Sequence, residues 1–153
     1  MLEAGDKVPM FKGIDQNGNV FDYRDHKQKK IIIFFFPKSM TPTCTTQACN
    51  LRDNYKELHK RGFTLIGISP DGSELQQKFI KTYKLPYTLI SDSDAKIMNR
   101  FGVWGEKQLY GRKYEGVHRT TFVIEGRKIM HVFKRPRNKM HSEEIMAVID
   151  NRS

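Results

Sequence analysis

Two cysteines, Cys44 and Cys49, lie five residues apart in the run Thr41-Pro42-Thr43-Cys44-Thr45-Thr46-Gln47-Ala48-Cys49. A thiol does its chemistry as the thiolate, and an ordinary cysteine is only about 3% thiolate at neutral pH. The residues around Cys44 favour the charged form. Thr41 is placed to cap a helix, and Pro42 to take its first position, where a missing N–H costs nothing. Cys44 then falls in the first turn, beside unpaired N–H groups and the positive end of the helix dipole. Threonines at 41, 43, 45 and 46 make the segment polar, which argues for a reactive thiol over a buried, inert one. Thr41 has a second available task, offering its hydroxyl to a bound oxygen atom.

Cys49 is the other half of the chemistry. Five residues of intact helix give about 7.5 Å of rise and about 140° of rotation. A disulfide needs Cα atoms within about 7 Å and side chains that face each other. Either the first turns unwind during turnover or Cys49 is a packed core residue, and the spacing leaves both open. Cys-x₄-Cys with no nearby His or second cysteine pair is not a zinc site. Nor do two cysteines in this length make a disulfide scaffold. No metal or cofactor is expected, and free thiols fit a reducing, cytoplasmic setting.

The elements that must position these residues follow from the hydrophobic pattern. Residues 31–36 are six consecutive apolar side chains and read as a buried central strand that ends at Pro37. A polar loop and then a helix over 43–61 follow, with Ala48, Leu51, Tyr55 and Leu58 on one stripe and Gly62 past the end. Residues 63–69 form a second buried strand, 73–83 a helix, 87–91 a third strand and 94–101 a short helix. Residues 119–124 and 128–133 form a hairpin, and 141–150 a final helix. Near the start, 11–23 reads as a hairpin turned by Asn17-Gly18. The alternation predicts one α/β domain over residues 1–153 with a central mixed sheet flanked by helices. Open α/β sheets place ligands beyond the carboxyl ends of their strands, which is where Cys44 lies.

The bulk properties agree with a single folded domain. The chain has 153 residues, 38% of them hydrophobic and 29% charged. No stretch has the length and apolarity of a membrane span. The start, Met1-Leu2-Glu3-Ala4-Gly5-Asp6, lacks the basic and apolar run of a secretory signal. The formal net charge of +10 suits acidic partners, nucleic acid or anionic surfaces. The densest basic run is Lys134-Arg135-Pro136-Arg137-Asn138-Lys139. No nucleic-acid motif accompanies it, so it reads first as a solvated loop and specific nucleic-acid binding is not expected.

The segment from Pro37 through Thr41 to Cys44 resembles the Pro-x-x-x-Thr-x-x-Cys signature of the peroxiredoxins. Cys44-Thr45-Thr46-Gln47-Ala48-Cys49 is similar to the bacterioferritin comigratory protein / peroxiredoxin Q group. Gly67-Ile68-Ser69-Pro70-Asp71, the stretch 101–107, and Gly116 through Arg119 to Ile124 also resemble that group. The resemblance covers nearly the whole chain and implies a thioredoxin-like fold. It implies a thiol-dependent peroxidase acting on hydrogen peroxide and organic hydroperoxides. Cys44 would be the peroxidatic cysteine and Cys49 the resolving one, closing an intramolecular disulfide. Thr41 would hydrogen-bond the peroxide, Pro37 would shield the pocket, and Arg119 would hold the thiolate and polarise the O–O bond. Thioredoxin or a similar dithiol would recycle a monomeric enzyme.

Three positions depart from the group's pattern: Thr43 where Gly is usual, Ser39-Met40 in place of a more acidic pair, and the basic stretch 134–139. Three rival readings have their own signatures. A one-cysteine peroxidase or redox sensor would need an external resolving thiol. A dithiol–disulfide oxidoreductase would favour the tighter Cys-x-x-Cys spacing. A basic nucleic-acid-associated protein with a redox-active cysteine pair would show steeply salt-dependent binding.

Overall fold

The computed structural model describes residues 1–27 and 29–151. Its strands are β1 (Lys12–Asp15), β2 (Val20–Asp22), β3 (Lys30–Phe35), β4 (Phe63–Ser69), β5 (Thr88–Ser91), β6 (Trp104–Leu109), β7 (Arg112–Val117), β8 (Thr120–Glu125) and β9 (Lys128–Phe133). Its helices are α1 (Pro42–Asp53), α2 (Tyr55–Lys60), α3 (Ser73–Tyr83), α4 (Lys96–Phe101) and α5 (His141–Asp150).

Seven strands form one mixed sheet in the order β2-β1-β5-β4-β3-β8-β9. Strands β3, β4 and β5 run parallel, and β8 pairs antiparallel with β3. The unbroken apolar run of β3 has a direct cause, because this strand is covered on both faces. Ile31, Ile33 and Phe35 pack into one core with Ile97 and Phe101 of α4. Ile32, Phe34 and Phe36 pack into the other, with Leu51 of α1, Leu58 of α2, Phe79 of α3 and Ile145 of α5. Cys44 belongs to this second core.

Two elements differ from the sequence expectation. The helix expected over 43–61 is broken at Asn54, whose backbone (φ −114°, ψ 14°) separates α1 from α2. The Asn54 side chain donates to the carbonyl of Asn50 at 3.1 Å, the kind of local bond by which asparagine competes with helix continuation. The second difference is the antiparallel pair β6–β7, a stretch to which the sequence assigned no element. Tyr110 (φ 51°) and Gly111 (φ 78°) turn it, both in the left-handed region that a tight hairpin requires. Most side chains of this ribbon are exposed, so it carries little of the alternation by which strands are recognised.

Candidate active site

The backbone after β3 is shaped to present the first turn of α1. Phe36 N–H still reaches the sheet through the carbonyl of Ile68 at 3.0 Å. After the half-buried Pro37, the chain is pinned by Ser39 N–H donating to the Asp71 carboxylate at 2.7 Å. Asp71 is steadied from below by the Ser69 hydroxyl at 2.8 Å. Met40 then takes a left-handed conformation, φ 70°, which turns the chain into the helix. A non-glycine residue there costs on the order of 1 kcal/mol.

Thr41 occupies the N-cap position with extended backbone, and Pro42 follows at the first helical position. The expected side-chain cap is absent. The Thr41 hydroxyl donates instead to the carbonyl of Lys38 at 2.7 Å. Its proton is committed to the loop, so its oxygen lone pairs are free to accept from a ligand hydroxyl. The first-turn N–H groups, including that of Cys44, lack helical acceptors by geometry.

Cys44 is only 2% exposed. The polar neighbours had suggested an open thiol, but helix geometry turns Cys44 inward while Pro42, Thr43 and Thr46 face out. Its sulfur meets Arg119. The guanidinium Nη2 lies 3.1 Å from Cys44 Sγ, and Nη1 of the same side chain donates to Gln47 Oε1 at 2.7 Å. Gln47 sits three residues after Cys44, on the same face of α1. Arg119 is held at the foot of β8: the hydroxyl of Thr120 bonds the carbonyl of His118 at 2.7 Å, and His118 N–H bonds Val103 at 2.7 Å. The guanidinium is thereby aimed at sulfur with donors to spare.

Gln47 was not picked out from the sequence. Its available signal was the spacing from Cys44 on a helix, where a long polar side chain is forced inward. Its Nε2 is buried and has no partner among the described residues.

Cys49 lies on the same unbroken helix as Cys44, and both are free thiols. It is half-buried, and burial pushes its thiol above the ordinary range, with Asp53 adding to the rise and Arg52 opposing it. From this point on, α1 is firmly fastened. Tyr87 donates its hydroxyl to the carbonyl of Ala48 at 2.8 Å. Asn50 accepts from Ser142 N–H at 2.7 Å and from the Ser142 hydroxyl at 2.8 Å, and donates to the carbonyl of Lys139 at 2.9 Å. Arg52 reaches the carbonyl of Tyr83 at 2.7 Å. Before Ala48, the side-chain hydrogen bonds that tie the helix to other elements among the described residues are those of Arg119 to Cys44 and Gln47.

A second polar cluster lies along β8. Thr121 Oγ1 is 2.7 Å from His141 Nε2, and His141 Nδ1 is 2.6 Å from Glu144 Oε1. His141 is fully buried. Burial lowers its pKa below the usual imidazole value, and the Glu144 carboxylate only partly opposes this. Among the described residues, no group of three or more His, Cys, Asp or Glu side chains is arranged to hold a metal ion. Among the described residues, no helix is long and apolar enough to cross a membrane either.

A thioredoxin-like sheet with a cysteine at the start of the first covering helix and an arginine on its sulfur defines a thiol-based redox site. The AhpC/TSA family model matches residues 4–132. Peroxiredoxin Bcp of Escherichia coli K12 is 42% identical over 146 residues, covering 95% of this chain and 94% of that protein. The crystal structure of peroxidoxin BcpB from Mycobacterium tuberculosis superposes with a TM-score of 0.87 at 31% identity, covering 100% of this chain and 99% of that one. A peroxiredoxin Q mutant from Xylella fastidiosa shares the fold, with a TM-score of 0.91 at 22% identity, covering 98% and 96% of the two chains. The chain belongs to the AhpC/TSA family and, within it, to the Bcp/peroxiredoxin Q group of thiol-dependent peroxidases.

Proposed function

We propose that Cys44 is the peroxidatic cysteine and Cys49 the resolving one, in a cycle that reduces hydrogen peroxide and small organic hydroperoxides. The observation that carries this reading is the 3.1 Å contact between Arg119 and Cys44 Sγ. A fixed guanidinium at a buried sulfur supplies hydrogen-bond donors and positive charge where charge redistributes as the S–O bond forms.

The steps balance as follows. The Cys44 thiolate attacks one peroxide oxygen, forming an S–O bond as the O–O bond breaks. The departing alkoxide or hydroxide takes a proton and leaves as alcohol or water. Arg119 faces the developing charge with the donors that sulfur and Gln47 leave over. Thr41 accepts from the peroxide hydroxyl through its free lone pairs and so aligns the O–O bond. Pro37, half-buried where the chain leaves β3, walls the pocket against water. Cys49 then attacks the Cys44 sulfenic acid, releasing water and leaving a disulfide. A thioredoxin-like dithiol donates two electrons and two protons, restoring both thiols and becoming a disulfide itself.

The second chemical step requires motion, since an intact α1 separates the two sulfurs by the geometry of five helical residues. The fastenings of α1 support a definite opening. Residues from Ala48 onward are tied to Tyr87 just before β5, to α3 and to α5, whereas the first turns depend on Arg119. Once Cys44 is oxidised, its charge-assisted bond to Arg119 is lost and the first turns are the part that unwinds. The intact helix also favours a second reading, in which Cys44 works alone and an external thiol resolves it. Free thiols and a dithiol reductant suit a reducing, intracellular setting, and the enzyme is read as a monomer.

The test is peptide mapping without reduction after stoichiometric peroxide, for the wild type, Cys44→Ser and Cys49→Ser. A Cys44–Cys49 disulfide in the wild type, with sulfenic or sulfinic acid on Cys44 in Cys49→Ser, is the expected result. Oxidised Cys44 that never pairs with Cys49 establishes the one-cysteine reading.

A further inference from the structure

The basic stretch after β9 has a place in the fold that its sequence did not reveal. Lys134, Arg135, Arg137 and Lys139 are all exposed. The loop that carries them is built rather than loose. Arg137 N–H donates to Glu144 Oε1 at 2.8 Å, and the same oxygen takes His141 Nδ1 at 2.6 Å. The Lys139 carbonyl accepts from Asn50 at 2.9 Å, which ties the loop to the residue that follows Cys49.

The charges on this loop are left unneutralised. Lys134 meets Glu3 at 3.4 Å. The side chains of Arg135, Arg137 and Lys139 make no ion pair among the described residues. Glu144 spends its carboxylate on the loop backbone and His141, and Glu143 is engaged by Asn50 at 3.2 Å. Three cations therefore stand free on the loop that Asn50 ties to α1, on a chain whose formal net charge is already +10. Free like charges held together on a rigid loop are unfavourable for the isolated protein and favourable for an oppositely charged visitor.

We propose that the loop formed by Arg135, Arg137 and Lys139 is the docking surface for the dithiol reductant, and that this partner carries an acidic face around its own cysteines. The proposal rests on the two-cysteine reading above, which supplies the need for a macromolecule to reach this end of α1. The partner's carboxylates pair with the three cations while its thiolate attacks the disulfide at the adjacent edge. Steering of this kind acts on association more than on the chemistry that follows.

The test compares wild type with the triple variant Arg135→Glu, Arg137→Glu, Lys139→Glu under saturating peroxide. Each is driven by an acidic thioredoxin and, separately, by dithiothreitol, a small neutral dithiol. The expected result is a fall of about tenfold or more in kcat/KM for thioredoxin, unchanged turnover with dithiothreitol, and loss of the wild type's decline between low and high salt. Equal kcat/KM for thioredoxin in both proteins overturns the proposal, as does an equal loss with both reductants. Binding to a DNA or RNA duplex that the variant abolishes, with thioredoxin kinetics intact, assigns the loop to nucleic acid and also overturns it. Absence of a Cys44–Cys49 disulfide in the peroxide-treated wild type removes the two-cysteine reading itself, a failure distinct from the others.

Discussion

Arg119 donates to the sulfur of Cys44 at 3.1 Å from a position 75 residues further along the chain. The contact joins the start of β8 to the first turn of α1, two elements that meet only because β8 pairs directly with β3. It places a permanent charge on a sulfur that is almost excluded from water, where Coulombic attraction is stronger than at the surface.

Arg119→Ala should lower kcat/KM for hydrogen peroxide by roughly 10²–10³-fold, the usual cost of removing one preorganised donor from a developing charge. Arg119→Lys should recover only part of this, because an ammonium cannot contact sulfur, Gln47 and peroxide as a planar fork does. Steady-state kinetics on the three proteins measures it. Equal rates for wild type and Arg119→Ala would remove Arg119 from the chemistry.

Gln47 gives a different signature. Gln47→Leu loses a hydrogen bond to a charged group but also removes a buried amide with no partner for its Nε2. These terms oppose each other, so stability should change by less than about 1 kcal/mol. The guanidinium loses its second anchor, and small misplacements of a catalytic group are expensive, so activity should fall about tenfold or more. Urea denaturation and peroxide kinetics on the same preparation separate the two effects.

Asn50 joins α1 to α5 through Ser142 and to the basic loop through Lys139. Asn50→Ala should cost about 1–3 kcal/mol, because it strips the Ser142 N–H of its partner. It should also extend the part of α1 that unwinds, and so speed disulfide formation after a peroxide pulse. Quenched-flow trapping of free thiols reads this rate. An unchanged rate in a destabilised protein would confine Asn50 to a structural part.

The pH dependence of stability should carry the mark of His141. Its folded pKa is lowered, chiefly by burial, so the unfolded chain binds the proton first as pH falls. Stability therefore rises with pH across this window. The contribution is complete above about pH 6.5 and is lost as pH falls toward the folded value, with a slope of at most about 1.4 kcal/mol per pH unit. Glu144, Glu143 and Arg119 are the charged groups that act on it. Urea midpoints at pH 7.5 and 5.5 should drop further in wild type than in His141→Asn.

Much of this arrangement is legible in the sequence, for physical reasons that differ by element. Strands β3 and β4 announce themselves because, Lys30 and the exposed Thr64 apart, their side chains are buried and apolar or small. The position of Cys44 follows from Thr41-Pro42, which fixes where the helix starts even though the threonine hydroxyl bonds elsewhere. Arg119 is one of 27 basic residues, and only the likeness to peroxiredoxins selects it. The ribbon β6–β7 is hidden because it packs few side chains and therefore leaves a weak hydrophobic rhythm. The Asn50–Ser142 and Thr121–His141 pairs join polar residues far apart in sequence, and no local pattern marks them.

The placement of both cysteines on one helix makes α1 a timer. In the proposed two-cysteine cycle, the interval between oxidation of Cys44 and its capture by Cys49 is set by how fast the first turns open, a property of backbone and anchors rather than of sulfur chemistry. A second peroxide arriving within that interval carries Cys44 on to the sulfinic acid and ends its turnover. The dose of peroxide the enzyme survives is thus fixed by a helix-opening rate. On that reading a residue that touches neither sulfur, such as Asn50, sets the oxidant level at which protection gives way.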